Sequence, residues 1–293
     1  MTETGPIRHV GSYRAELGEC PTWDAASSTL VWLDMERHRI LRTVPESGDT
    51  TITQLSFRPG AVVLHGEGGM LVASGHDIYH LDEANRLTAM ASLPPDAAGG
   101  FNDGVCDPSG RFWSGTATGD GSTNCALYRY DGTIITAMAN GMSMSNGVGF
   151  SPDGMTMYFV DSARRTLDSF AFDDRSGTLD DRRTLLTLPP GRLPDGLAVD
   201  ANGAIWVAVW GGACVLKVMP DGAIERTLDL PTPNVTACTF GGPDMRTLFI
   251  TTAQQDLDSA PDPLAGALFA CDVDVPGMSP EYFRPNHSAR TAE

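Results

Sequence analysis

One unit recurs six times along this chain, and an internal repeat constrains a fold more tightly than any single motif does. The unit is a short apolar segment, a Pro/Gly/Asp turn, and an apolar run centred on a large residue. Its clearest copies are VCDPSGRFWSGT (105–116), GFSPDGMTMYFVDS (149–162), AVDANGAIWVAVW (198–210) and TFGGPDMRTLFITTA (239–253). CPTWDAASSTLVWLDM (20–35), with a longer turn, and VVLHGEGGMLVASG (62–75) complete the set. The large residues of the second runs are Trp32, Leu71, Trp113, Tyr158, Trp206 and Phe249, at successive spacings of 39, 42, 45, 48 and 43. A strand-rich period of ~40–50 residues is the signature of four-stranded propeller blades. The expected fold is therefore all-β: a six-bladed β-propeller with four-stranded blades, built as one domain over residues 1–293.

The turns agree with this reading. PSG, PDG and ANG each separate two apolar or alternating runs, as hairpin loops do. LYRYDGTIITAM (127–138) and LKVMPDGAIERTL (216–228) read as further hairpins inside the repeats. The segment 7–17 (IRHVGSYRAEL) reads as a strand that closes the last blade, so that no sheet edge is left open. Segment 252–266 is expected to be a loop with one helical turn, and residues 284–293 a frayed tail after an ordered core of about 7–283.

Composition bounds the function classes. A net charge of −17 repels phosphate backbones and anionic membrane surfaces, so neither nucleic acid nor a membrane is an expected partner. The partner expected is a small molecule, with the chain a monomer or weak homo-oligomer. Six cysteines include no C-x-x-C pair, which argues against a thiolate zinc site and for reduced thiols. The N-terminus carries no apolar leader and no run approaches a membrane span, so a cytoplasmic location is expected.

Four oxygen-bearing side chains fall in one phase of the repeat, just ahead of or within the first apolar segment. They are Glu19 (LGECPTW), Asn102 (FNDGVCDP), Asn146 (MSNGVGFSPDG) and Asp195 (LPDGLAVDANG), at 13, 11, 12 and 11 residues before their markers. Taken singly, Asn-Asp-Gly and Pro-Asp-Gly are ordinary turn sequences. A shared offset in four blades is not a requirement of turns, and Glu is not a turn former. If the first segment of each repeat is the innermost strand, these groups converge at one mouth of the central channel. Two carboxylates drawn together away from water repel unless a cation lies between them. An all-oxygen set of carboxylates and amides suits one hard divalent ion such as Ca²⁺, Mg²⁺ or Mn²⁺. A site with three protein ligands keeps positions open for water and substrate, as catalytic metal sites do.

Other constellations are weaker. His76 and His80 are four apart in a strand-like segment, which separates them by ~13 Å. GMSMSNG lacks the last glycine of a nucleophile elbow. DDRSGTLDD (173–181) lacks the acidic spacing of an EF-hand and reads as a hairpin turn.

The quoted segments, with PNVTACTFGGPDMRTLFITTA, resemble the gluconolactonase family that includes regucalcin (senescence marker protein) and the bacterial sugar lactonases, over about residues 10–280. The segments around WGG and PNVTACTFGGPD look most like the bacterial pentonolactone and hexonolactone hydrolases. The resemblance implies that Glu19, Asn146 and Asp195 ligate one divalent metal, that Asn102 faces the substrate, and that Asp195 is the general base. It implies Ca²⁺, Zn²⁺, Mn²⁺, Mg²⁺ or Fe²⁺ as the cofactor. The chain departs from the family at Gly100, where many relatives carry an Arg that contacts sugar hydroxyls, and at Cys20, where Gly or Ser is usual. Substrate contacts are accordingly expected at Asn102, Asp103 and Gly100, with Asp103 alternatively bracing its loop, and Trp210 either forming an apolar wall or serving in packing.

The expected activity is metal-dependent hydrolysis of a sugar lactone such as a glucono-, xylono- or arabinono-lactone, in carbohydrate metabolism. The alternatives are a non-catalytic calcium-binding regulatory propeller and a metal-dependent esterase or organophosphatase using the same site. An interaction platform has no use for converging carboxylates.

Overall fold

The structure, a computed structural model, describes residues 4–120, 122–257 and 262–285. It contains six four-stranded antiparallel sheets and, among the described residues, no α-helix. The sheets are the six blades of a propeller. Their innermost strands are Gly18–Asp24, Ala61–Leu64, Gly100–Cys106, Ser145–Phe150, Leu193–Val199 and Val235–Gly241. Each of the first five blades then runs outward by three successive hairpins. The sixth takes its outermost strand from the other end of the chain: Arg8–Val10 pairs with Leu268–Asp272, with Arg8 opposite Ala270. The closing strand expected from the sequence is thus present, and it is only three residues long.

The repeat markers lie in the cores between blades, where Leu71 and Trp113 are wholly buried and Trp32, Tyr158, Trp206 and Phe249 nearly so. Trp23 of the first blade stacks on Phe249 of the sixth at 5.7 Å, and Trp206 meets Phe240 edge-on at 6.0 Å. Such aromatic pairs lock neighbouring blades face to face. The Asp of the repeated turn has two duties. Asp200 takes the Ala204 amide on one oxygen at 3.0 Å and the Trp206 indole on the other at 3.1 Å. Asp107 does the same for Arg111 and Trp113, at 2.9 and 2.8 Å. One buried carboxylate thereby ties a hairpin turn to the packing residue of the next strand.

The hairpins expected at 127–138, 173–181 and 216–228 are present as strand pairs. All six cysteines are free and buried. Of the loop expected at 252–266, residues 258–261 lie outside the described residues, and the rest forms turns rather than a helical turn. Of the tail, residues 286–293 lie outside the described residues, while the Arg284 amide donates to the Gly110 carbonyl at 2.8 Å. Among the described residues no helix is long and apolar enough to cross a membrane.

Candidate active site

The innermost strands do not run regularly into the channel. In five of the six the ladder slips by a bulge: between Glu19 and Thr22, Asn102 and Val105, Ser145 and Val148, Pro194 and Leu197, and Val235 and Ala237. A bulge bends its strand and re-aims one side chain. Here it lies beside each of the four residues singled out by the repeat phase. It also explains their neighbours. A Cβ on Gly196 would lie 2.4 Å from that of Ala237, and one on Gly147 would lie 2.7 Å from the Asp195 carbonyl. The Asn-Gly and Asp-Gly pairs are therefore not turns. They lie within strands, and the glycine permits adjacent inner strands to approach one another at the axis.

The approach to each strand is fixed from the same blade. Asp34, at the end of the first blade's second strand, accepts the amides of Glu16 and Leu17 at 3.2 and 3.4 Å, just ahead of Glu19. Asp161 holds the amides of Ser143 and Met144 at 2.9 and 3.2 Å, just ahead of Asn146.

Glu19, Asn102, Asn146 and Asp195 all line one cavity of about 710 Å³. Asn102 donates through Nδ2 to the Ser145 carbonyl at 2.8 Å and to Oδ1 of Asn146 at 3.3 Å. Burial pushes the Glu19 carboxyl up to about 8, with the nearby charge of Asp103 adding to the effect and the Cys20 amide and Arg58 opposing it. Burial raises Asp195 well above the usual carboxylate range, and the charges of Glu19 and Asp103 raise it further. Oδ1 of Asp195 is buried and has no hydrogen-bond partner among the described residues.

An unpaired carboxylate oxygen beside a second buried carboxylate is costly unless a positive charge joins them. The donor set therefore fits a divalent cation: two carboxylates and one amide oxygen, all hard ligands. Among the described residues there is no cluster of three or more His, Cys, Asp or Glu with metal-binding geometry, so a site here depends on the amide oxygen of Asn146 as its third donor.

The other expected contacts divide. Gly100 and Trp210 line the same cavity. Asp103 does not. Its Oδ1 accepts the Gly104 amide at 2.6 Å, and the residue borders a second, smaller cavity of about 400 Å³. Cys20, which also borders that cavity, has φ +49 and lies against the inner strands of the second and third blades, its sulfur 3.6 Å from the Val62 carbonyl and 3.8 Å from that of Gly104.

Ser162, Arg58 and Gln255 are among the residues of the cavity wall that escaped the sequence reading. Ser162, just after a second strand, would have been found by extending the phase argument to that position. Arg58 lies in the connection from the first blade to the second and Gln255 in the loop between two strands of the sixth, where the repeat gives no phase to compare.

A six-bladed propeller whose innermost strands bring Glu19, Asn102, Asn146 and Asp195 to one cavity defines a class of sites built by several blades at once. Residues 17–254 match the family model described as "SMP-30/Gluconolactonase/LRE-like region", and the chain belongs to that family. It is 36% identical to the 6-deoxy-6-sulfogluconolactonase of Pseudomonas putida, over 97% of this chain and 99% of that one. It is 34% identical to the pentonolactonase XacC of Haloferax volcanii, over 94% and 97%. Among solved structures it is similar to a calcium-binding protein, regucalcin, from Agrobacterium tumefaciens, with TM-score 0.90, 30% identity, and coverage of 96% and 98%.

Proposed function

We propose that this protein is a metal-dependent lactonase that opens a sugar lactone. The observation that carries the reading is the buried Oδ1 of Asp195, unpartnered among the described residues, in the larger cavity that Glu19 and Asn146 also line. Full-length similarity to enzymes named as lactonases supports the reaction type.

In this reading Glu19, Asn146 and Asp195 hold one divalent ion, with Ca²⁺, Zn²⁺, Mn²⁺, Mg²⁺ and Fe²⁺ all candidates. When bound, the ion supplies Lewis acidity at the lactone carbonyl and keeps both buried carboxylates ionised. Asp195 accepts a proton from water as its oxygen bonds to the carbonyl carbon. The ring C–O bond then breaks, and the proton passes to the departing ring oxygen, giving the open hydroxy acid. Asn102 orients the lactone or the attacking water, Trp210 excludes solvent from one wall, and Asp103 braces the strand that carries Asn102 through its bond to Gly104.

A second reading is a calcium-binding propeller without turnover, favoured by the solved relative described as a calcium-binding protein. A panel of lactones assayed after chelation and after return of single metals separates the two. Hydrolysis that disappears with the metal and returns with it is the expected result. Stoichiometric metal binding with no hydrolysis of any lactone would overturn the catalytic reading.

A further inference from the structure

Two polar side chains on the wall of the larger cavity have no part in the chemistry above. Arg58 lies in the connection that leads into the second blade, and Gln255 just beyond the second strand of the sixth. Arg58 is the only Lys or Arg among the described residues lining that cavity. Its Nε donates to Oε1 of Glu36 at 2.9 Å, while its two terminal nitrogens have no hydrogen-bond partner among the described residues. The guanidinium is thus fixed at one edge, with its outer fork left to meet something else. Glu36 holds one edge of the guanidinium, and the Arg58 charge still reaches Glu19 across the cavity.

Gln255 is the complementary case. Its backbone is fixed, with the amide donating to the Glu16 carbonyl at 3.1 Å and its own carbonyl accepting Nδ2 of Asn234 at 2.8 Å. Its side-chain Oε1 is buried and unpartnered among the described residues. A buried amide oxygen is unfavourable until a donor reaches it.

We propose that Arg58 and Gln255 are specificity residues that select a lactone carrying free hydroxyl groups. Arg58 donates to hydroxyl oxygens of the ring or its side chain, and Oε1 of Gln255 accepts a hydroxyl proton. The inference rests on the lactonase reading of this cavity and names the substrate feature the cavity selects. A site built to pair hydroxyls discriminates against the analogue that lacks them, because its own polar groups are then left unsatisfied.

The experiment compares kcat/KM of the metal-loaded enzyme for a polyhydroxylated six-membered aldonolactone and for unsubstituted δ-valerolactone, in the parent, Arg58→Met, Arg58→Lys and Gln255→Met. The readout is the ratio of the two values, because a change in folding or metal affinity lowers both together and cancels. Arg58→Met should lower the ratio roughly 10–100-fold and Gln255→Met roughly 3–10-fold, the ranges for charged and neutral hydrogen bonds. Arg58→Lys, which keeps a donor but loses the fork, should fall between Arg58→Met and the parent. A ratio within twofold of the parent value in either Met variant overturns the assignment of that residue. A parent enzyme that hydrolyses both lactones while neither ratio moves refutes this inference alone. A metal-loaded parent that hydrolyses neither refutes the lactonase reading, and the inference with it.

Discussion

Asn146 hydrogen-bonds through Nδ2 to the hydroxyl of Ser162 at 2.9 Å, and its orientation follows from that contact. Ser162 gives its one proton to the Pro194 carbonyl at 2.6 Å, so it meets Asn146 only as an acceptor. Asn146 must therefore turn its nitrogen to Ser162 and its oxygen toward Asn102 and the cavity. The same hydroxyl also ties the fourth blade to the residue preceding Asp195 in the fifth.

Replacement of Ser162 by Ala is expected to weaken metal binding about 10–100-fold, the usual effect of removing a group that orients a ligand. Titration calorimetry of the metal-free protein with each divalent ion checks this. Unchanged affinity would mean that Asn146 needs no such support.

Removal of the metal should lower the melting temperature, and its return should restore it. At a hundredfold excess over the dissociation constant, the bound ion contributes about 2.7 kcal/mol. Scanning calorimetry with and without chelator reads this directly. A purified protein that holds no metal and shows no thermal response to any divalent ion would contradict the proposed site.

Asp195 and Glu19 differ in their proposed duties, and variants can separate them. Asp195→Asn keeps a metal-facing oxygen but loses the base, so turnover at saturating metal should remain ~10²–10⁴-fold below the parent. Glu19→Gln removes one charge from the ion and leaves the base, so much of its defect should vanish as metal is raised. Rates extrapolated to saturating metal are the test. Full recovery by Asp195→Asn would exclude Asp195 as the base.

Asp200→Ala should destabilise the fold by about 2–4 kcal/mol. It strands the buried indole of Trp206 and leaves the amides of Asn202 and Ala204, each now 3.0 Å from Oδ1, without their acceptor. Urea unfolding at neutral pH measures the loss, and a change below 0.5 kcal/mol would show that the turn re-pairs elsewhere.

His65 gives the stability a pH dependence of known sign. It is buried against His80 and Phe283, and its Nδ1 accepts the Glu67 amide at 3.1 Å. Burial and the neighbouring His80 lower its pKa from 6.5, against a smaller opposing effect of the Glu67 charge. As the pH falls below about 6.5 the unfolded chain takes up this proton first, so stability is lost on acidification and is fully present above that value. Because the raised Glu19 and Asp195 carboxyls act with the opposite sign, the reading is a difference: between pH 7.5 and 5 the urea midpoint of the parent should fall relative to that of His65→Leu.

The repeat phase located the blades and the four converging oxygen donors because both follow from where an inner strand starts. It did not reveal why Gly147 and Gly196 follow two of those donors. Turn and close-approach glycines look alike in a sequence, and what distinguishes these two is that an added Cβ would fall 2.7 Å from the Asp195 carbonyl at Gly147 and 2.4 Å from the Ala237 Cβ at Gly196. Asp103 illustrates a further limit. It adjoins Asn102 but borders the smaller cavity, in a bulge with φ +54 that the repeat phase does not reveal. Arg58 and Gln255 stayed hidden because both lie in loops outside the repeated strands, Arg58 between two blades and Gln255 within the sixth.

The three-residue strand Arg8–Val10 has a consequence for how the molecule assembles. Its ion pair with the sixth blade, Arg8 to Asp272 at 3.0 Å, spans 264 residues of sequence, so closing the ring brings the two ends of the chain together. Contacts of such separation make folding slow. Until that short strand is in place, the edge of Leu268–Asp272 has no partner and is open to pairing with another chain.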